Sequence, residues 1–458
     1  MKLYRFRKFD RACLEIENHT FRFSDRKSLN DPIEGYVKLY WQGDAIAWEG
    51  LFGNYIHSLY AKLLDVLVTE ENISVENVIL LDVNEDNEQF SNALRIIEDA
   101  FLNLDEVKSI IAFYSENSIR CSKKELKYLL NCFQKRAFDI CVDDLISRRI
   151  LQPEMKGQDI RRDGMPTMEE VCVQLCNFKE EERITLLETI GRAWDDLTDQ
   201  MLWKAYQNFD VLRKNWFMIR FQFPKLYMEC LEELIYPENY VVCFSESSKN
   251  SSMWGNYADD HKGVCMIFET EEKANKHYLS INKPYCYSGD STEYKFIDMQ
   301  VKPVKYENQP IQTNFFTSMG RLNGKQLARF LINKEQKKSI CWNEYFGKEN
   351  EQWRNTYWQQ CENRFCKKMK DWEHEEEYRL LLSDSFSEFS DAESRTLEFD
   401  FCQLKGIIFG IKTSNDDKFH MIELIKKECQ KIKRKEFFFY QAEYSEKDDC
   451  MEIRRMYI

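Results

Sequence analysis

The hydrophobic period changes twice along this chain, and that change limits what it can fold into. Near the start, Leu3 to Arg7 alternates apolar and basic residues, and Thr20-Phe21-Arg22-Phe23-Ser24 repeats the alternation. A period of two is that of a strand with one face buried. The polar cluster Ser28-Leu29-Asn30-Asp31-Pro32 then stops the strand and turns the chain. From about residue 46 to 235 the period becomes helical. Leu126, Leu129, Leu130, Phe133, Ala137, Ile140 and Cys141 form one apolar stripe, with a capping box expected at Ser122 and Glu125. Leu187, Ile190, Trp194, Leu197, Met201 and Ala205 form a second. A break containing Pro153, Gly157, Gly164 and Pro166 separates the two stripes, and Thr167 with Glu170 offers another capping box.

After residue 236 the strand pattern returns at Tyr240 to Phe244, Gly263 to Phe268, Tyr378 to Leu382, Thr396 to Phe401, Gly406 to Ile411 and Glu436 to Tyr444. A long helix is predicted over Trp342 to Lys370, and an amphipathic one from Asn415 to about Lys431. The fold class is therefore α+β. Residues 1–45 and 236–458 form one domain, interrupted by a large all-helical insertion over 46–235.

The 458 residues suffice for about three domains' worth of material. With 65 basic and 78 acidic side chains the net charge is −13, which excludes a protein that coats nucleic acid by bulk charge but leaves room for a local basic cleft. Aliphatic runs such as Val78-Ile79-Leu80-Leu81 fall short of the ~18 residues a membrane span needs. The start, Met1-Lys2-Leu3-Tyr4-Arg5, lacks the apolar core of a signal peptide. The 16 cysteines are scattered within apolar patterns, as expected of reduced buried thiols in a cytoplasmic protein.

Three clusters could carry chemistry. Cys243-Phe244-Ser245-Glu246-Ser247, followed by Met253-Trp254, Tyr257 and His261, is a buried strand running into hydroxyls and aromatics, a good place for a ligand. The alternative is a serine-capped strand end with an aromatic packed on the sheet. Trp372-Glu373-His374-Glu375-Glu376-Glu377-Tyr378-Arg379 would put Glu375 and Glu377 on one face if both lie on a strand. Such a pair can stabilise a developing cation or work as acid and base, or it can be a charge run paired with Arg379. Tyr4-Arg5 with Asn30-Asp31-Pro32 brings a guanidinium fork suited to phosphate and a stiff turn, although a strand arginine is also commonly structural. No phosphate-binding glycine loop is present, and the six histidines show no metal-ligand spacing, so no metal is expected.

Taken together, Tyr4-Arg5, Phe23-Ser24, Leu29-Asn30-Asp31-Pro32, Cys243-Phe244-Ser245-Glu246, Met253-Trp254, Tyr257-Ala258, His261, Gly263, Trp372, Glu375 and Glu377-Tyr378-Arg379 resemble a bacterial family catalogued as domain of unknown function twenty-nine seventy-one. The strand Leu404-Lys405-Gly406-Ile407-Ile408-Phe409-Gly410 resembles that family's tail. The order of these motifs is also similar to the arginine–serine–glutamate plan of ADP-ribosyltransferases, although Ser245-Glu246-Ser247 departs from that plan's Ser-Thr-Ser. The resemblance implies a split-sheet core that uses NAD as substrate. Glu377 and Glu375 would be catalytic, and Tyr4, Arg5, Asn30, Ser245, Ser247, Trp254, Tyr257 and His261 would bind the dinucleotide, with Trp254 or Tyr257 stacked on nicotinamide. It also implies a macromolecular acceptor, nucleic acid or protein. The insertion would select that acceptor or bind an inhibitory or activating partner, as in a bacterial toxin or phage-defence effector. Two other readings stay open: a non-enzymatic nucleotide- or partner-binding module, and a metal-dependent nuclease using Asp31, Glu375 and Glu377.

Overall fold

The structure is a computed structural model and describes residues 1–31, 33–68, 78–84, 87–116, 118–153, 178–208, 211–288, 291–347, 350–384, 388–447 and 449–458. The chain divides into two units. One comprises Met1–Tyr36, Pro237–Ile311 and Gln359–Ile458; the other comprises Val37–Tyr236 and Gln312–Trp358.

The first unit is built on a mixed sheet of twelve strands among the described residues. They are β1 (Lys2–Arg7), β2 (Thr20–Arg22), β3 (Glu238–Ser245), β4 (Val264–Glu269), β5 (Glu271–Lys273), β6 (Lys276–Ser288), β7 (Ser291–Pro303), β8 (Glu377–Asp384), β9 (Thr396–Phe399), β10 (Leu404–Phe409), β11 (Phe438–Ser445) and β12 (Cys450–Met456). The order is β12-β11-β10-β4-β1-β3-β8-β7-β6-β9-β2, with β5 on β6. Past β2, Ser24 exchanges backbone hydrogen bonds with Val241 of β3 at 2.8 and 2.9 Å, so the sheet curls back toward its own middle.

Strand alternation decides what each face of this sheet buries. Leu3 of β1 joins a core with Phe21, Phe244 and Phe268, and the helices α1 (Phe9–Glu17) and α3 (Asn415–Lys431) add Ile16, Met421 and Ile425 to it. Phe6, of opposite parity, joins a smaller cluster with Met253 and Trp254 of the short helix α2 (Ser251–Tyr257). At Gly263, before β4, an added Cβ would lie 2.2 Å from the Arg7 carbonyl oxygen, so this close approach requires glycine.

In the second unit the stripes seen in the sequence lie on the helices Lys123–Ser147 and Glu180–Asn208. Ser122 and Glu125 form the expected capping box, a device whose loss costs about 0.5–2 kcal/mol. The break over Gly157, Gly164 and Pro166, with the capping box at Thr167 and Glu170, lies outside the described residues. Residues 312–358, grouped with the strands by the sequence pattern, belong to this unit instead. Their helix Gly324–Leu331 buries Leu327, Phe330 and Leu331 and packs on Ala45–Val68, where Gly50 has no room for a Cβ beside the Phe330 carbonyl. The long helix expected over 342–370 is two, Trp342–Phe346 and Asn350–Asn363. Gly347 ends the first by donating its N–H to the Asn343 carbonyl at 2.7 Å. Among the described residues no helix is long and apolar enough to cross a membrane, and the cysteines are free thiols.

Candidate functional site

Strand β1 pairs with β4 along Lys2 to Arg7, but on its other edge it meets β3 at one pair, Tyr4 with Ser245. The two strands splay from that point. β3 stays paired with β8 on its far side, with Ser245 opposite Glu377 and Cys243 opposite Arg379. Tyr4, Ser245 and Glu377 are therefore neighbours in one row across three strands. Cross-strand partners share a face, so this row looks toward α2.

The splay opens a cavity of about 220 Å³. On its walls are Tyr4, Arg5, Asn30, Ser245, Tyr257, Glu375 and Glu377, all singled out in the sequence, together with Glu34, Cys243, Lys368 and Arg379. Ser247, Trp254 and His261 are not among its lining residues. Trp254 is fully buried, edge-on to Phe6 at 5.1 Å, and its indole donates to the Ser248 carbonyl at 2.9 Å. It belongs to the core, and of the two proposed stacking rings only Tyr257 faces the cavity. His261 has a positive φ of 70° and stacks behind Trp254. Ser247 works within its turn: its carbonyl accepts from the Ser245 hydroxyl at 3.1 Å.

Arg5 is an internal residue. It sits on the Leu3 face between the rings of Phe21 and Phe244, bonds Glu15 at 3.1 Å and donates to the Cys243 carbonyl at 2.9 Å. That last bond satisfies a strand carbonyl where β1 has moved away. Burial, with Arg7 nearby, lowers the Arg5 guanidinium to about 10. Burial alone would raise the Glu15 carboxyl, but Arg5, Arg7 and Arg11 outweigh it and hold Glu15 below the usual carboxylate range. Arg5 thus lends the cavity a wall and a field, with its hydrogen bonds committed inside the protein.

Glu375 and Glu377 do not share a strand face. Glu375 ends a 3-10 turn, Lys370–Glu375, and Glu377 is the first residue of β8. Between them Glu376 is left-handed, with φ 45°, held by the Glu246 N–H on its carbonyl at 2.9 Å. This reversal is what turns both flanking carboxylates into one cavity. Glu375 accepts from the Tyr257 hydroxyl at 2.7 Å and from Lys368 at 2.7 Å, while Asn30 bonds both Tyr257 and Lys368 and closes a ring of four side chains. Glu377 takes the Arg379 fork at 2.9 and 2.6 Å, with its N–H on the Tyr306 hydroxyl at 2.7 Å.

The charges in this cluster set one another. Burial would protonate Glu377, but Arg379, then Lys368, hold it ionised, below the usual range. Burial would lower Lys368, but Glu377, Glu375 and Glu34 raise it. Glu34, ion-paired with Arg379, is nonetheless raised because burial outweighs Arg379 there. Burial first, then Glu377, pushes the Cys243 thiol well up, so it is no ready nucleophile. Asp31 lines a different hollow and bonds the Ile33 N–H at 2.9 Å, so the three-carboxylate arrangement with Glu375 and Glu377 is not formed. Among the described residues no group of three or more His, Cys, Asp or Glu is arranged to hold a metal ion. The sequence motifs include neither Lys368 nor Glu34; two carboxylates entering a cavity need buried cations, which points to a residue such as Lys368, whereas nothing local in the sequence marks Glu34.

These shifts fix a pH dependence. The depressed groups, Glu15 and Glu377, stabilise the fold above the ordinary glutamate value of 4.5, and that stability is lost as pH falls through their folded values. Glu34, being raised, acts with the opposite sign: its contribution is full below the unfolded value and lost as pH rises through its folded value. Melting temperature is expected to rise as pH falls through the folded Glu34 value toward 4.5, and to fall at lower pH as Glu15 and Glu377 are protonated. Glu34→Gln should reduce the rise, to which the raised Glu49 also contributes, and keep the fall; a monotonic fall in the wild type would contradict the assignment.

A family model described as a protein of unknown function (DUF2971) matches residues 253–380, a stretch that takes in Tyr257, Lys368, Glu375, Glu377 and Arg379. The chain is similar to that family over this stretch. No curated protein and no solved structure matches the chain.

Proposed function

We propose that the cavity binds NAD and breaks its nicotinamide–ribose bond, passing ADP-ribose to a macromolecule, nucleic acid or protein, or to water. The observation that carries this reading is the arrival of two buried carboxylates, Glu375 and Glu377, in one cavity where β1 and β3 splay, beside Tyr4, Asn30, Ser245 and Tyr257. As the bond breaks, its electron pair leaves on the nicotinamide nitrogen and the ribose gains oxocarbenium character. Glu377, kept ionised by Arg379, would stabilise that charge and bond a ribose hydroxyl. Glu375 would orient the acceptor hydroxyl and take its proton as the new bond forms to the ribose carbon. The ring of Tyr257 would lie against nicotinamide. The helical unit would supply the surface that selects the acceptor or binds a restraining or activating partner, an arrangement suited to a toxin or antiviral effector.

A second reading, a nucleotide- or partner-binding module without chemistry, is favoured by the pairing of Glu377 with Arg379 and of Glu375 with Lys368, which would make both carboxylates structural. Incubation with NAD separates the two. The transferase reading expects nicotinamide release by the purified protein or on addition of cell extract. If neither gives release, and NAD does not raise the melting temperature, the transferase reading fails and the binding module takes its place.

A further inference from the structure

Beside the carboxylate cavity lies a hollow of opposite electrostatic character. It is lined by Arg7, Arg11, Arg22, Arg395, Ser24, Ser28 and Asp25 and has a volume of about 310 Å³. Arg7, Arg22, Ser24 and Ser28 also line the first cavity, so the two share a wall. The four arginines come from separate places in the chain: the end of β1, α1, the end of β2 and the residue before β9. The fold brings them together; Arg22 sits opposite Thr396 in the β2–β9 pair, next to Arg395.

The acidic groups facing these arginines are fewer than the cations. Glu15 bonds Arg7 at 3.0 Å and lies 3.6 Å from Arg11, but it also neutralises Arg5. Asp25 pairs with Arg395 at 2.8 Å and is further occupied by the Ser28 N–H and hydroxyl at 2.8 and 2.7 Å. Two carboxylates therefore serve five guanidinium groups. Arg22 is exposed and makes no ion pair among the described residues. In a chain of net charge −13, this local excess of positive charge repels itself unless an anion joins it. Guanidinium forks beside the Ser24 hydroxyl match the oxygens of a phosphate.

We propose that this hollow is a phosphate site, and that it takes the phosphate of a nucleotide whose remainder, free of negative charge, extends across the shared wall into the carboxylate cavity. The division of labour is electrostatic: the anion is kept away from Glu375 and Glu377, and the part of the ligand that they face carries no negative charge. The assignment uses the position of the cavity but does not need bond cleavage there.

Titration calorimetry of the full chain with inorganic pyrophosphate at low ionic strength tests it. The wild type should bind, and Arg22→Gln should weaken binding by about tenfold or more, the scale of a hydrogen bond to a charged group. Arg22→Lys, which keeps the charge and loses the fork, should fall between them. Arg22 is exposed and forms no salt bridge among the described residues, its charge acting on Asp25 only at longer range, so both variants should melt within a few degrees of the wild type. Absence of pyrophosphate binding, or equal affinity in Arg22→Gln, overturns the site. Pyrophosphate binding accompanied by much tighter binding of a single-stranded oligonucleotide, also weakened in Arg22→Gln, overturns the nucleotide assignment in favour of a nucleic-acid backbone. Pyrophosphate binding without nicotinamide release would leave the phosphate site standing and remove only the proposed reaction.

Discussion

Glu377→Gln is expected to lower nicotinamide release from NAD by about 10²–10³-fold, the scale on which one preorganised electrostatic partner of a transition state is felt. Glutamine has nearly the same shape, and its amide oxygen can still accept from Arg379, which also keeps its bond to the Phe365 carbonyl at 2.7 Å and its contact with Glu34. Packing should therefore survive while the negative charge is lost. NAD should still raise the melting temperature of the variant, because the phosphate is held by other groups. Release at the wild-type rate would mean that Glu377 serves Arg379 alone. A parallel Glu375→Gln variant separates the two carboxylates: if Glu375 handles the acceptor, transfer should fall more than nicotinamide release into water.

Removal of the cation is the second large effect. Arg379 is fully buried, and Arg379→Met would leave the buried Glu377 and Glu34 without their nearest opposite charge. Breaking a buried pair from one side costs about 3–5 kcal/mol. For a unit of this size that is roughly a 10 °C loss in melting temperature. Lys368, at 3.6 Å from Glu377 and 3.9 Å from Glu34, is already shared with Glu375 and cannot make up the deficit. Adding Glu377→Leu to Arg379→Met should recover much of the loss, because a pair replaced by apolar groups on both sides leaves fewer stranded charges. A double variant no more stable than Arg379→Met would locate the penalty at Glu34 or in packing.

The residues that reach the cavity were largely visible as motifs, but their roles were not. Tyr4 and Asn30 accompany a strand arginine and a stiff turn, Ser245 and Tyr257 lie where a buried strand runs into hydroxyls and aromatics, and all four line the cavity. Trp254 stands in the same aromatic segment as Tyr257, yet it closes the core against Phe6. Nothing in the spacing tells a ring that faces a ligand from one that faces a phenylalanine three strands away. A strand arginine offers a fork suited to phosphate, and in the sequence Arg5 has that form. Its partner, Glu15, lies one helix further along on the same buried side, and that contact exists once α1 folds onto the sheet.

Local sequence fixes what depends on one axis. The period of two set β1 and β2, and short apolar runs set β3, β4 and β8, near their observed positions; the helical period set Lys123–Ser147, and Ser122 with Glu125 set where that helix begins, because each depends on residues within a few positions of one another. Charge pairing and register depend on segments hundreds of residues apart. The meeting of Tyr4 with Ser245, the left-handed turn at Glu376 that aims two carboxylates the same way, the burial of Lys368 among three of them and the gathering of Arg7, Arg11, Arg22 and Arg395 all follow from which backbones pair. Local composition cannot encode those choices: a buried charge is stable only beside its partner, and only the tertiary structure brings the partners together.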